Sequence, residues 1–505
     1  MIVRCIFLFG VLGLLLLFGC RREKMFLTNP DARLEFSTDT LRFDTVFTEL
    51  GSATRILKVY NRYGKSLRVA SVAIAAGAQT KFQMNVDGIP GNEITDLEIP
   101  PNDSIYIFVE VTIDPDEPLS ISPFVLEDAI VFETNGNEQR VLLEAWGQNA
   151  NYIPSRFSKG GIALLSCDFG VLSWDDPKPY VIYGVLVIDS CTLHLPPGTR
   201  LYVHGGVAKA LDDMGNPIIY NDGLIYVLPN GKLNMDGTLE NPVIVQGDRL
   251  EEDFEERDGQ WVGIRLASKG NTFRNSIIKN SLVGVYVDSA GSVDLDKMAI
   301  HHTSGPGIFA LHGKVDARNC LVYANGSTSV QLGYGGDYTF DYCTLASYGV
   351  DAAALSLSNG ICLDLLCYMF DIYRINASFR NCIVFGSSQD EIQLSNFSAS
   401  GDPSLFNISM ENCVVRVKYL VDPVVGSYPG FFTDICTNCI DGSPTQLLFE
   451  DANENDFHLD SLSIAEGIGL PIPFINLDLE GKERTAVNPD AGCYEREGLK
   501  RIQYI

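Results

Sequence analysis

Six related hexapeptides determine the fold of this chain: FRNSII (273–278), LDKMAI (295–300), ARNCLV (317–322), FDYCTL (340–345), FRNCIV (379–384) and MENCVV (410–415). Their successive offsets are 22, 22, 23, 39 and 31 residues. A period near 22 residues is typical of a solenoid in which each repeat forms one coil of a parallel β-helix. The two longer offsets can each hold one coil plus an insertion, as in residues 359–374.

Positions four and six of the hexapeptide predict the interior of each coil. Because side chains two residues apart on a strand share a face, both positions point inward. Position three is Asn four times, and Asn tolerates the left-handed conformation that a sharp bend requires. Stacked coils then place one position-four side chain above another, ~4.8 Å apart. The sequence therefore predicts one internal column that contains Cys320, Cys343, Cys382 and Cys413.

Core packing explains this cysteine column better than a zinc site. Tetrahedral zinc ligation requires ligands that converge on one point, and residues stacked along an axis do not converge. Export, argued below, would favour disulfides among the remaining cysteines. Cys436 and Cys439 lie outside the column. We expect a local disulfide or two packed thiols there rather than a redox centre, because no thioredoxin-like βαβ context surrounds them.

The residues before the repeats predict a different kind of domain. Between residues 33 and 150, short alternating segments such as LRVASVAI (67–74) and SIYIFVEVTI (104–113) are separated by turn residues. Such spacing without helical periodicity predicts an immunoglobulin-like β-sandwich. We expect the β-helix to cover 151–440, with a C-terminal capping module over 441–505. The predicted fold is therefore all-β.

The first residues resemble a lipoprotein signal peptide. Cys5 to Phe18 form an apolar run of fourteen residues, which is short for a membrane span and normal for an export signal. Leu17-Phe18-Gly19-Cys20 resembles a bacterial lipobox, which implies cleavage after residue 19 and acylation (palmitate among the chains) of Cys20. The alternative is an uncleaved anchor. Residues 20–32 would then be an acylated tether, and the outer membrane the expected location.

Several stretches resemble the right-handed parallel β-helix lipoproteins of Bacteroidota-type envelopes. They include LPPGTRLYVHGG (195–206), GKLNMDGTLENPVIVQGDR (231–249) and the tail DFHLDSLSIAEGIG (456–469). The resemblance covers roughly residues 150–496. It implies the fold, whereas function does not follow, because this architecture carries lyases, hydrolases, adhesins and inert scaffolds alike.

Charge restricts the partners. The formal net charge is −27, and a nucleic-acid surface would need clustered Lys and Arg, so no nucleic-acid partner is expected. The same charge repels acidic polysaccharides unless a cation bridges the two.

Candidate site residues fall into three groups. A β-helix lyase needs calcium and a basic residue that abstracts a proton. Lys297 is a candidate for the basic residue, and Asp294 and Asp296 are candidate calcium ligands. The alternative is that these residues simply form an exposed strand face. The acidic insertion DRLEEDFEERD (248–258) is either a solvated loop or a calcium loop, with the candidate metal ligands Asp253, Glu255 and Asp258. Tyrosines in the later coils have two interpretations: they form a surface that binds sugar or protein, or they only cover the turns of the coils. The candidate binding residues are Tyr334, Tyr338, Tyr348 and Tyr373.

These observations lead to two hypotheses. The first is a non-enzymatic binding or scaffolding lipoprotein that binds a carbohydrate or serves as an accessory subunit of an outer-membrane protein complex. The second is a calcium-dependent polysaccharide lyase or another carbohydrate-active β-helix enzyme. The incomplete catalytic sets favour the first hypothesis.

Overall fold

The computed structural model describes residues 26–47, 54–112, 124–148, 150–154, 161–211, 217–250, 254–398, 401–442 and 448–496. Its chain divides into two compact units, 1–149 and 150–505. The predicted signal peptide, the predicted acylation site Cys20 and Asp253 lie outside the described residues. Within the described part of the chain, no helix is long and apolar enough to cross a membrane.

The first unit contains two five-stranded sheets that share one hydrophobic core. Alternating burial along Ser104–Val111 shows why the period-two pattern was informative, since every second residue faces that core. In spatial order the first sheet consists of Glu35–Phe36, Arg55–Tyr60, Ser104–Val111, Phe82–Val86 and Ile89–Pro90. The second sheet consists of Thr40–Phe47, Asn137–Gln148, Phe124–Thr134, Leu67–Ile74 and Glu93–Ile99, and a 3₁₀ turn spans Gly77–Gln79.

The second unit is a parallel β-helix whose coils contribute strands to three strips. Strips A and B together form the 19-stranded sheet, and strip C is a separate nine-stranded sheet. Strip A consists of Val171–Ser173, Thr192–Leu195, Lys232–Asp236, the first halves of Asn271–Lys279 and Ser292–Thr303, Lys314–Arg318, Gly336–Asp341, Ile375–Arg380, Phe406–Glu411 and Cys436–Thr437.

Strip B follows strip A across the predicted bend. It consists of Asn151–Ile153, Tyr180–Tyr183, Arg200–His204, Val243–Gly247, the second halves of the two long strands, Leu321–Asn325, Thr344–Ser347, Ile383–Gly386, Val414–Val415 and Ile440–Asp441. Strip C consists of Ile162–Leu165, Val185–Ile188, Leu224–Val227, Gly263–Leu266, Val285–Val287, Ile308–Leu311, Val330–Gly333, Leu355–Ser358 and Ile392–Ser395.

The hexapeptide prediction is confirmed at its two diagnostic positions. The residues at position three all have positive φ values between 42° and 56°: Asn275, Lys297, Asn319, Tyr342, Asn381 and Asn412. The four column cysteines are 0% exposed and carry free thiols. The bend and the internal column therefore recur from coil to coil as predicted.

Six further cysteines form three disulfides, whereas Cys493 is a buried free thiol. Cys436 and Cys439 are bonded to each other, which settles the alternative left open by the sequence. Cys167–Cys191 and Cys362–Cys367 are further disulfides. The Cys362–Cys367 disulfide closes an antiparallel hairpin, formed by Gly360–Cys362 and Phe370–Ile372, within the insertion 359–374.

Two different segments cover the solenoid beyond the repeats. Val417, Leu420 and Phe431 join the interior core at the last coils, where the short helix Phe431–Asp434 lies. The C-terminal segment 448–496 instead packs on the outer face of strip B, in a separate cluster with Leu321, Ile383 and other residues. It contains the hairpin Phe449–Asp451 with Asp456–Leu459 and the 3₁₀ turn Ala452–Glu454, and the remaining short elements are the hairpin Gly206–Leu211 with Pro217–Asp222 and the 3₁₀ turn Pro403–Leu405.

The bend residues also bind this C-terminal segment. Asn319 Oδ1 accepts a hydrogen bond from Arg484 (2.8 Å), and Asn381 Oδ1 accepts one from the backbone N–H of Leu470 (3.0 Å). Tyr342 donates its hydroxyl to the Leu470 carbonyl (2.8 Å). At Asn319, Tyr342 and Asn381, the backbone therefore forms the bend of the coil while the side chain hydrogen-bonds the C-terminal segment.

Candidate functional site

One line of outward-facing side chains crosses strip C from coil to coil, and we call it the outer column. Each member lies directly opposite the next in the parallel pairing register. Neighbouring residues on each strand point into the core, and the column therefore points away from it. The outer column consists of Tyr226, Arg265, Tyr286, Phe309, Gln331, Ser356 and Gln393.

The first half of the outer column is a continuous stack. The Arg265 guanidinium lies between the rings of Tyr226 (5.1 Å) and Tyr286 (4.9 Å). The Tyr286 ring stacks on Phe309 at 5.0 Å between centroids. Asp288 accepts two hydrogen bonds from Arg265, at 2.7 and 2.9 Å, and thereby neutralises its charge. Arg265 and Tyr286 are each packed on both sides within this stack, which restricts their side-chain freedom.

The second half of the outer column is uncharged and hydrogen-bonding. Gln331, Ser356 and Gln393 offer amide and hydroxyl groups on three successive strands of strip C. Gln393 also lines an open cavity of about 1010 Å³, together with Asp351, Ser387 and Tyr419. The column therefore leads from an aromatic stack to a polar, open cavity.

A cluster of aromatic side chains borders the outer column at the turn after strip C. Tyr373 lies 4.3 Å from the His312 ring and 4.8 Å from the Tyr334 ring. The Tyr334 hydroxyl donates to Asp371 at 2.6 Å, and this hydrogen bond raises the pKa of Tyr334. Tyr334 therefore remains a neutral donor, held on the same edge of the solenoid as the hairpin of residues 360–372.

The four candidate tyrosines do not all lie together. Tyr334 and Tyr373 are neighbours, as described above. Tyr338 points into the coil, is 3% exposed and donates to the Gly335 carbonyl at 2.7 Å, so its prediction as an exposed binding residue is wrong. It occupies an inward position of its strand, two residues before Phe340. Tyr348 packs beside Phe457 of the C-terminal segment (6.1 Å).

One predicted catalytic residue, Asp296, belongs to a second outward column, on strip A, which we call the charge column. Its members are paired from coil to coil and alternate in sign: Asp236, Arg274, Asp296, Arg318, Asp341, Arg380 and Glu411. Arg318 contacts Asp294 (2.9 Å) and Asp296 (3.8 Å), and Arg380 contacts Asp341 (2.7 Å). Both candidate aspartates are therefore engaged with arginine.

Lys297 occupies the bend position of its coil, with φ 56°. Burial lowers the pKa of Lys297, while Asp296 and Asp478 of the C-terminal segment oppose that shift. Burial also raises the pKa of Asp296, against the effect of Arg318. The candidate base and the candidate carboxylates of a lyase thus lie on one coil. The two aspartates contact Arg318, and Lys297 and Asp296 are partly buried. Their catalytic role remains a prediction.

The acidic insertion folds back on the solenoid through its backbone. The Asn280 side chain donates to the carbonyls of Glu255 (2.9 Å) and Arg257 (2.8 Å). The Glu255 carboxylate lies 3.6 Å from Lys279. The described residues contain no group of three or more His, Cys, Asp or Glu side chains arranged to hold a metal ion. Calcium binding by Glu255, Asp258 and the undescribed Asp253 remains a prediction.

Comparison with known proteins identifies the class of the solenoid. Residues 262–416 match the family model described as a right handed beta helix region. Together with the parallel ladders, this match shows that the chain is a β-helix repeat protein. No curated protein matches the chain.

Solved structures with similarity include carbohydrate-active enzymes. A pectate lyase, Pel9A, is 13% identical, with 61% of this chain and 88% of that chain covered and a TM-score of 0.23. The catalytic unit of a GH87 alpha-1,3-glucanase from Streptomyces thermodiastaticus is 10% identical, with 70% and 87% covered and a TM-score of 0.17. A protein of unknown function from Porphyromonas gingivalis is 14% identical, with 28% and 59% covered and a TM-score of 0.18.

Sequence reasoning missed the outer column. Its members are the second or third residues of short segments such as GIRL (263–266), VYV (285–287) and IFAL (308–311). The available signal was the alternation within these segments, which identifies one outward residue in each coil once strip C is recognised.

Proposed function

We propose that this protein is a non-enzymatic, acylated envelope protein that binds an extended, uncharged polysaccharide along the outer column. The observation that carries the proposal is the register of seven outward side chains on consecutive strands, ending at an open cavity. A repeating polymer matches a repeating surface, because each coil can contact the next part of the same chain.

The chemistry of the outer column favours an uncharged ligand. Arg265 is neutralised by Asp288, and the next polar members, Gln331, Ser356 and Gln393, carry no charge. Amide and hydroxyl groups exchange hydrogen bonds with sugar hydroxyls in either direction. A net charge of −27 disfavours uronate polymers at the same time.

The remainder of the proposal concerns location and assembly. Acylation at Cys20 would attach the chain to the outer membrane, and the N-terminal immunoglobulin-like sandwich would serve as a spacer or as a dock for an outer-membrane protein partner. Labelled palmitate should enter the wild-type protein in cells and be lost from a Cys20→Ala variant. Incorporation that persists in the variant would contradict the anchor.

Binding is tested with a matched pair of serine variants. Ser356 lies in the outer column on strip C, and Ser378 is a half-buried outward serine on strip A. We expect Ser356→Ala to weaken binding of a neutral glucan or mannan about two- to tenfold, the range for one lost hydrogen bond. Ser378→Ala should leave the affinity unchanged. Equal effects of the two variants, or binding only to uronate polymers, would refute the proposal.

The alternative function is a calcium-dependent polysaccharide lyase. Incubation of the protein with uronate polymers and calcium, followed by ultraviolet absorbance of unsaturated products, tests it directly. Turnover that disappears in a Lys297→Ala variant would establish the lyase and reject the non-enzymatic proposal.

A further inference from the structure

The hairpin inserted at residues 360–372 carries an apolar tip that faces solvent. The side chains of residues 363–370 include six exposed apolar or aromatic groups: Leu363 (61%), Leu365 (105%), Leu366 (72%), Tyr368 (81%), Met369 (62%) and Phe370 (46%). Single exposed apolar side chains are ordinary on protein surfaces, whereas a cluster of six within eight residues is typical of an interaction site.

The base of the hairpin is firmly attached to the solenoid. Phe370 packs on Phe397 at 5.7 Å, and the Tyr373 N–H donates to the Asn359 carbonyl at 2.9 Å. The Cys362–Cys367 disulfide closes the tip. The apolar side chains are therefore presented on a braced projection.

Five backbone N–H groups of the tip find acceptors within the tip itself. The Asp364 carboxylate accepts hydrogen bonds from the N–H groups of Leu366 (2.9 Å), Tyr368 (3.1 Å) and Met369 (2.6 Å). The Leu363 N–H donates to the Met369 carbonyl at 2.8 Å, and the Cys367 N–H to the Asp364 carbonyl at 3.1 Å. These groups need no water, and this matters because acyl chains offer no hydrogen-bond partners.

Exposure on both arms of the hairpin distinguishes a lipid from a protein groove. Leu363 lies before the turn and Met369 after it, and their exposed fractions, 61% and 62%, are nearly equal. An element that binds a protein groove presents one face and keeps the other in water. Apolar side chains that are exposed on all sides of the hairpin tip are suited to a lipid layer, which surrounds the tip on every side.

We propose that the hairpin tip inserts into the interfacial layer of a lipid membrane, with Leu365 and Leu366 among the acyl chains and Tyr368 at the headgroups. Tyr is suited to that boundary because its ring is apolar and its hydroxyl polar. Asp364 is the only charged residue between Leu363 and Phe370, and the whole chain is acidic, so zwitterionic lipid is the expected surface. This inference is independent of the polysaccharide proposal.

A reporter at the tip tests insertion even when another part of the chain holds the protein on the vesicle. In the full-length protein, Leu365→Trp should be quenched by phosphatidylcholine brominated on its acyl chains, in excess of the quenching of the wild-type tryptophans. Val424, which is 88% exposed in a different loop, provides the matched control Val424→Trp. The control should show no excess quenching. Absence of quenching at position 365, or equal quenching at both positions, would overturn the proposal.

Partitioning into vesicles provides a second measurement. The double variant Leu365→Asp, Leu366→Asp should lower the partition coefficient of a Cys20→Ala protein about 100-fold, because each buried leucine contributes roughly a factor of ten. The matched double variant Val424→Asp, Val425→Asp should partition as the parent does. An unchanged coefficient in the leucine variant would count against insertion, as would a tip that crosslinks to a membrane protein while bromolipids leave it unquenched.

Discussion

At the residue scale, position four of the hexapeptide combines an inward side chain with a fixed acceptor. The thiol of Cys343 lies 3.4 Å from the Asp341 carbonyl, and that of Cys382 lies 3.3 Å from the Arg380 carbonyl. The Ser276 hydroxyl donates to the Arg274 carbonyl in the same way, at 2.7 Å. The carbonyl two residues earlier therefore accepts from either side chain, which explains how serine and cysteine share one column.

This acceptor predicts a mild effect of replacing a column thiol by a hydroxyl. We expect Cys343→Ser to lower the free energy of unfolding by about 1 kcal/mol, because the buried hydroxyl finds an acceptor. Cys343→Leu should cost more, about 1–3 kcal/mol, since it overpacks the core. Urea denaturation of both variants checks the order. A larger loss for Ser than for Leu would show that the carbonyl does not compensate the hydroxyl.

Glu391 predicts a pH dependence of stability. It is fully buried, and burial raises its pKa to about 7, although the N–H groups of Ser388 (2.6 Å) and Ala354 (2.9 Å) bind its carboxylate. The unfolded chain releases this proton near its ordinary pKa of about 4.3, so the contribution to stability is present below that pH and is lost as pH rises towards 7.

Denaturation by urea across this pH range measures the effect. Glu391→Gln should flatten the decline, while Glu450→Gln, at an exposed carboxylate, should retain it. Asp490, whose pKa burial raises to about 6, contributes in the same direction, so some decline will remain in the Glu391 variant. An identical pH profile in wild type and Glu391→Gln would contradict the assignment.

At the element scale, the charge column couples adjacent coils of strip A. Arg318 lies between Asp296 and Asp341 in the strand register. Arg318→Glu would place three carboxylates in a row, and we expect it to lower the free energy of unfolding by about 1 kcal/mol. The loss should shrink in 1 M salt, where the screening length is about 3 Å.

The control for this variant is a lysine outside the column. Lys314 pairs with Asp316 of its own strand (2.8 Å), and Lys314→Glu should have the smaller effect at low salt. Equal, salt-independent losses in the two variants would mean that the alternation does not stabilise the stacking.

The sequence predicted those elements in which every coil repeats one physical requirement. A left-handed bend limits the residues at Asn319 and Asn381, and the interior limits those at Cys343 and Cys382, so both positions recur visibly. The residues of the outer column share no common steric or conformational requirement, so their types differ from coil to coil. Arg265 and Phe309 share a column by register alone, and this is hidden until the strands are stacked.

The disulfides and the Tyr338 error have related causes. Cys167 and Cys191 are bonded because the first coils bring them together, and sequence separation does not reveal that proximity. Tyr338 was placed outside because its residue type suits surfaces, whereas its position on the strand faces inward. Position within the coil determined the outcome in both cases, and residue type did not.

At the scale of the solenoid unit, the C-terminal segment covers an apolar outer face. Leu321, Ile383 and Val414 on strip B are at most 4% exposed because Phe449 and Phe457 pack in the same cluster. Truncation before Leu448 should therefore lower the free energy of unfolding by about 5 kcal/mol or more, since several side chains lose burial worth about 1.5–3 kcal/mol each.

Binding of a hydrophobic dye and thermal denaturation measure this effect. The truncated protein should bind the dye in its folded state, because strip B is uncovered. Truncation after Arg496 retains the described contacts of the segment and serves as the control. A protein ending before Leu448 that melts like this control and binds no dye would show that the outer face is stable when bare.

Because charge alternates along strip A, adding or removing an odd number of coils has a different effect from adding or removing an even number. If one coil were deleted between Arg274 and Arg380, two side chains of the same sign would become neighbours, whereas deletion of two coils would restore opposite neighbours. A gene for such a protein could therefore lengthen or shorten most easily in steps of two repeats. Engineered duplications provide a direct comparison, in which even-numbered insertions should express as folded protein more readily than odd-numbered ones.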